Sequence, residues 1–309
     1  VTIGDASITI LDGGMGRQLS LMGAPFRLPE WSALALIEAP QFVAQAHAAF
    51  IDAGAQIVTT NSYALTPMRL GEGRFAADGR RLAELAGHLA RTAADRAGER
   101  VQVAGSLPPI FESYRPDLFD AARAPAIVEV LAASLSPHVD LWLIETQSST
   151  AEAAVAIDAV RASGLPIWVS YTLRDEAGRR GPSQLRSGET VEEAVEFALQ
   201  QGVQSILFNC SQPEVMDAAV QVAALRIAAG ASPSVRIGVY ANAFMPEADS
   251  VEPYAGISEM RNDVSPARYL EWATQWVRSG ASIIGGCCGI GPEHIAALRA
   301  RFGVSPVRT

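Results

Sequence analysis

Hydrophobic positions along this chain fall into two alternating textures. Stretches with helical periodicity end at a glycine, and a short unbroken apolar run follows at once. "FIDAGAQIVTTNS" does this around Gly54, "AVRASGLPIWVSYT" around Gly164, "ALQQGVQSILFNC" around Gly202 and "WVRSGASIIGGCC" around Gly280. Glycine commonly stands just past a helix end, because it tolerates positive φ. Short continuous apolar runs are the mark of buried parallel strands, which are covered on both faces. The helix starts carry their own signals. Pro40 and Pro266 suit a first helical turn. Ser149 with Glu152, and Thr190 with Glu193, have the spacing of capping boxes. After the second of these, Val195 and Leu199 stand four apart on one helix face.

Eight such apolar runs are present: "SITILDG", "AQIVTTN", "VQVAGSL", "VDLWLIET", "PIWVSYT", "QSILFNC", "VRIGVYAN" and "SIIGGCC". Helical patterns separate nearly all of them. Eight strands alternating with helices over this length predict a (β/α)8 TIM barrel, read as a single domain over residues 1–309. A doubly wound sheet would carry a full glycine fingerprint after its first strand, and "LDGGMGRQL" lacks that spacing. The two long irregular stretches, "GSLPPIFESYRPDLFD" and "ANAFMPEADSVEPYAGISEMRND", follow the third and seventh strands and are expected to be βα loops.

Composition narrows the partners. The chain has 309 residues, 49% of them hydrophobic, enough for a substantial core. Its net charge of −9 argues against nucleic acid and anionic membrane as partners. No apolar stretch has the length of a membrane span, and the opening residues lack the pattern of a secretory signal. Three cysteines make a disulfide framework improbable. A reducing cytoplasm is the expected compartment, and there thiols are free for metal binding or chemistry.

Barrel active sites lie at the C-terminal ends of the strands. The predicted strands end in Asp12, in Thr60 with Asn61 and Ser62, in Glu145, in Asn209 with Cys210, in Asn242, and in Cys287 with Cys288. All three cysteines are thus expected at one rim. Taken alone, Cys210 reads as core, but the adjacent pair between glycines is harder to explain as packing. Three thiolates converging on a point suggest zinc with one coordination position left open. Consecutive strand residues face opposite ways, so the chain must twist off its strand at Cys287. Glu145, after the apolar "LWLI", needs a partner if buried. Asp12 before two glycines fits a turn as well as a site, and Asn209 and Asn242 could satisfy loop backbone instead. Two other readings stay open: a barrel acting on a phosphorylated metabolite, with "DGGMG" cradling phosphate, and a non-catalytic metal-binding barrel.

The set "LDGGMGRQL", "WSALALIEAPQFV", "AGAQIVTTNSY", "IETQ", "FNC" and "IIGGCCG" resembles the homocysteine S-methyltransferase family over nearly the whole chain. The resemblance implies a barrel with zinc held by Cys210, Cys287 and Cys288. It implies that Asp12 and Glu145 hold the homocysteine amino group, and that Asn242 stands close to the metal. Thr60 is a further candidate substrate contact. The implied reaction moves a methyl group from a sulfonium donor, S-methylmethionine or S-adenosylmethionine, to the homocysteine thiolate, giving methionine. The chain departs from the family pattern at "YANAF" and "GSLPPIF", both expected to border the pocket.

Overall fold

The structure, a computed structural model, describes residues 7–176, 181–230, 234–245 and 259–303. Each predicted apolar run contains a strand: β1 (Thr9–Ile10), β2 (Ile57–Thr59), β3 (Gln102–Leu107), β4 (Leu141–Gln147), β5 (Ile167–Tyr171), β6 (Ser205–Asn209), β7 (Arg236–Tyr240) and β8 (Ile283–Ile284). All neighbours pair in parallel, in the order β1-β8-β7-β6-β5-β4-β3-β2. A parallel bridge between Leu11 and Ile57 brings the two edges together, and the sheet becomes a TIM barrel. Gly54, Gly164, Gly202 and Gly280, which the sequence placed after helices, all have positive φ.

Alternation along the strands builds two cores. Leu11, Ile57, Ala104, Leu141, Leu143, Trp168, Leu207, Tyr240 and Ile283 form one cluster, which fills the barrel interior. Their neighbours Val58, Val103, Trp142, Ile144, Val169, Ile206, Val239 and Ile284 belong to the larger cluster that includes the surrounding helices. Both faces of each strand are therefore apolar, and this is why the runs are continuous in sequence.

Both predicted capping boxes are present. The Ser149 side chain accepts from the Glu152 N–H, that of Thr190 from the Glu193 N–H, and each glutamate caps in return. Pro40 and Pro266 open the helices Pro40–Asp52 and Pro266–Ser279. The connection after β1 is more elaborate than the periodicity indicated. It carries two additional short helices, Met15–Leu21 and Ser32–Glu38, before the helix that returns to β2. This insertion forms one wall of the pocket described next. No described helix is long and apolar enough to cross a membrane. The seventh βα loop lies partly outside the described residues, which omit 246–258.

Candidate metal centre and active site

The three cysteines meet at the C-terminal rim, each by a different local device. β8 ends at Ile284, and the chain continues extended through Gly285 and Gly286. It then turns over Cys287–Ile290, where the Ile290 N–H donates to the Cys287 carbonyl at 3.0 Å. Gly289 completes the turn with φ +82°, and a Cβ there would stand 2.1 Å from Met260 Cε. The turn frees two consecutive side chains from strand alternation, as the sequence required. Cys210 uses strain instead. By alternation after Leu207 and Asn209 it should face the helices, but its φ of +53° turns the thiol back to the rim. Such a conformation is costly for a residue with a Cβ, and it persists only where surrounding contacts impose it.

Those contacts run along the continuation of β7. Cys287 N–H donates to the Ala241 carbonyl (2.9 Å) and Ala243 N–H to the Cys288 carbonyl (2.8 Å). Between them, Asn242 N–H donates to the Ser211 carbonyl (3.1 Å). Three residues after β7 thus tie the Cys210 loop to the Cys287–Cys288 loop. The sulfurs follow: Cys210 Sγ lies 3.0 Å from Cys287 Sγ, which lies 4.0 Å from Cys288 Sγ. All three sit within 4.8 Å of one another, the one such cluster of metal-ligating groups among the described residues. A tetrahedral zinc with bonds of about 2.3 Å spaces its sulfurs by roughly 3.8 Å, so the donor set and its spacing suit that ion. The Cys210 thiol is pulled well below its usual pKa, chiefly by hydrogen bonds from Cys287 and then Cys288, and also by one from Tyr114. Cys287 and Cys288 are correspondingly raised. The hydrogen bonds thus favour the thiolate on Cys210, and a bound cation would favour it on all three.

Two carboxylates line the same pocket. Asp12 accepts from Thr59 at both oxygens, from the N–H at 2.7 Å and from Oγ1 at 3.0 Å. Burial nevertheless raises its pKa to about 7. Glu145 follows Leu141 and Leu143 in the inward alternation of β4. It accepts from Ser106 Oγ at one oxygen and from the Tyr240 hydroxyl (3.4 Å) at the other. Burial, with the negative Cys210 and Asp12 adding to it, pushes its pKa to about 8. Neither acid has a cationic partner among the described residues, so both are poised for one from a ligand. The pocket, about 220 Å³, is lined by Asp12, Glu145 and the three cysteines together with Tyr63, Tyr114, Trp31, Arg69 and Glu112.

The glycines of "DGGMG" have a different use from cradling phosphate. A Cβ at Gly13 would stand 2.2 Å from the Ile290 carbonyl oxygen, and one at Gly14 would stand 2.5 Å from that of Cys287. They let the β1 loop press against the cysteine turn, and the phosphate reading loses its support.

The family comparison matches this geometry. A family model described as homocysteine S-methyltransferase covers residues 9–302.

The chain belongs to the homocysteine S-methyltransferase family.

Among family relatives, the homocysteine S-methyltransferase of Escherichia coli K12 is 29% identical over 95% of this chain and 95% of its own. Homocysteine S-methyltransferase 1 of Brassica oleracea var. italica is 28% identical over 94% of this chain and 91% of its own. In structure, the metallated form of the homocysteine methyltransferase MmuM from E. coli superposes with a TM-score of 0.76. That comparison has 26% identity and covers 96% of this chain and 97% of that one.

The remaining candidates of this homocysteine S-methyltransferase family member fall in different places. Thr60 lines the pocket, but its hydroxyl already meets Ser62 Oγ (2.8 Å) and accepts from the Ser106 N–H (3.0 Å). Asn242 is buried against a smaller neighbouring cavity with Cys210 and Arg186, and its Oδ1 accepts from Gln212 Nε2 at 3.3 Å. Asn209 satisfies backbone: it accepts from the Thr146 N–H (3.0 Å) and donates to Thr146 Oγ1 (2.8 Å). Thr146 itself has φ +59°, so this bond holds the strained residue that follows Glu145. Thr59, Ser106, Tyr240, Trp31, Arg69 and Glu112 escaped sequence reasoning. The inward alternation of β3 and β7 could have flagged Ser106 and Tyr240; nothing local marks Trp31 or Glu112.

Proposed function

We propose that this protein transfers a methyl group from a sulfonium donor, S-methylmethionine, to the sulfur of homocysteine, with Cys210, Cys287 and Cys288 as ligands of a catalytic zinc. The observation that carries this reading is the convergence of three thiols in the lining of a pocket that also holds the buried, cation-seeking Asp12 and Glu145. Zinc bound there would hold the acceptor sulfur as thiolate, a form that makes up only about 3% of a free thiol at pH 7. Asp12 and Glu145 receive the homocysteine ammonium, a cation that brings both acids into their charged form. Ser106, Tyr240 and Thr59 fix the two carboxylates, so the acceptor is oriented before reaction, and orientation can supply several kcal/mol. Tyr114, kept protonated by burial and by the negative Cys210, steadies that thiolate with its hydrogen bond.

The transfer balances without a general base. The acceptor sulfur pair forms the new C–S bond, the donor S–CH3 bond breaks, and its pair stays on the donor sulfur as a neutral thioether. With S-methylmethionine both products are methionine, and the thiol proton leaves when the acceptor binds.

The test is Cys287→Ala. The variant should keep its far-ultraviolet circular dichroism, lose stoichiometric zinc by elemental analysis, and show under about 1% of wild-type methionine formation from homocysteine and S-methylmethionine. Full activity in the metal-free variant would sink the zinc mechanism. A wild-type protein that binds zinc but transfers no methyl group would return the function to a non-catalytic metal barrel.

A further inference from the structure

The lining of the pocket also holds an ionic pair. Arg69 Nη2 lies 2.5 Å from Glu112 Oε1, and both side chains are largely buried, at 14% and 8% exposure. Glu112 Oε1 also accepts from the Ser113 N–H at 3.0 Å. The other oxygen, Oε2, is buried with no hydrogen-bond partner. A carboxylate oxygen left so is costly, because it has lost water and gained nothing. Trp31, whose ring centroid lies 5.5 Å from the Arg69 guanidinium carbon, has a buried indole N–H that also lacks a partner. All three side chains line the pocket. The Arg69–Glu112 pair and the ring beside Arg69 thus leave one anionic oxygen and one indole N–H without protein partners, a set complementary to a zwitterion: ammonium on the oxygen, carboxylate on the guanidinium and indole N–H.

We propose that Glu112 and Arg69 bind the α-amino acid headgroup of the methyl donor, which makes this enzyme selective for sulfonium donors that carry both an ammonium and a carboxylate.

This rests on the methyl-transfer reading above and assigns the half of the pocket that it left open. The chain sets the distance scale. Tyr114, which hydrogen-bonds Cys210, is two residues beyond Glu112, and two residues span at most about 7 Å. A headgroup on Glu112 therefore leaves the donor sulfonium, three bonds from the α-carbon, to extend toward the thiols. The acceptor has its own carboxylates, Asp12 and Glu145, whose charge couples to that of Cys210, so the two ammonium sites do not compete. Glu112 directly follows "GSLPPIF", the stretch leaving β3 where the sequence reading expects a departure from the commoner family pattern.

Titration calorimetry on the zinc-loaded protein tests the assignment with three probes: S-methylmethionine, dimethylsulfoniopropionate and homocysteine. The wild type should bind S-methylmethionine at least tenfold more tightly than dimethylsulfoniopropionate, which has the sulfonium and carboxylate but no ammonium. Glu112→Gln should weaken S-methylmethionine at least tenfold and leave zinc content, homocysteine affinity and dimethylsulfoniopropionate affinity unchanged. Equal wild-type affinity for the two sulfonium compounds overturns the proposal even if the variant does not fold. An unchanged S-methylmethionine affinity in Glu112→Gln overturns it too, as does a loss that falls on homocysteine instead. A wild type that holds no zinc and binds no homocysteine sinks the function proposed above. The headgroup assignment is still judged in that case by the two sulfonium affinities.

Discussion

At the scale of single residues, the site is built from groups held in states they would not choose alone. The positive-φ residues other than glycine among those described are Trp31, Tyr114, Thr146 and Cys210. Three of them line the pocket, and the fourth follows Glu145. Backbone strain is concentrated where side chains must be aimed off the regular lattice of the barrel. Asp12 and Glu145 are strained electrostatically, with pKa values raised by burial to about 7 and about 8. Without substrate, each is protonated below its own value and charged above it. An ammonium binds the charged form, so kcat/KM for homocysteine should climb as pH rises through 7 to 8. Glu145→Gln should remove the upper step and weaken homocysteine roughly ten- to hundredfold, as expected for a lost hydrogen bond to a charged group of about 1.5–3 kcal/mol. The pH profiles of variant and wild type, measured side by side, separate this step from titration of the acceptor thiol, which is common to both. Superimposable profiles would remove Glu145 from the acceptor site.

At the scale of elements, most helices follow local rules, and one carries a buried liability. The helix Pro40–Asp52 begins at the predicted proline and buries Val43, Ala46, His47 and Phe50. Both ring nitrogens of His47 are buried without a partner, and burial depresses its pKa from 6.5 to about 4. The unfolded chain therefore binds a proton that the folded chain refuses. The proton-linked penalty of His47 is absent above pH 6.5 and grows as pH falls from 6.5 through 4. The full shift corresponds to on the order of 3 kcal/mol. His47→Leu, of similar volume, should leave urea stability at pH 8 within about 1.5 kcal/mol of wild type and flatten its decline between pH 6.5 and 4. An identical acid decline in both proteins would show that the penalty lies elsewhere.

At the scale of the whole molecule, the two ends of the described chain complete one site. β1 and β8 are only two residues long each and pair with one another. Beyond them, Asp12 N–H donates to the Ile57 carbonyl while the Gly286 N–H donates to the Asp12 carbonyl. Barrel closure and the placement of the cysteine turn thus share the same backbone hydrogen bonds at Asp12. Gly14→Ala tests this coupling, since the new Cβ would stand 2.5 Å from the Cys287 carbonyl oxygen. Overpacking of that kind costs about 1–3 kcal/mol. Borne by the cysteine turn, it should weaken zinc roughly five- to hundredfold in chelator competition while circular dichroism stays native. Unchanged zinc affinity would mean that the two loops move independently.

The barrel was legible because its causes are local and periodic. Continuous apolar runs reported strands covered on both faces, and glycine, proline and capping boxes marked helix ends. The convergence of Cys210, Cys287 and Cys288 was legible too, because topology alone carries the ends of β6 and β8 to one rim. The aim of each side chain was not, since it depends on contacts distant in sequence. The +53° φ of Cys210 is fixed by neighbours on the continuation of β7. The raised acids reflect burial that no residue brings about alone. Glu112 reads as an ordinary loop glutamate until the connection after β2 sets Arg69 beside it and the β1 insertion sets Trp31 beside Arg69. Amino-acid order determined which elements form and where they end; only the closed tertiary structure decided which polar atoms lose water together, because desolvation belongs to an assembled cavity and not to a stretch of chain.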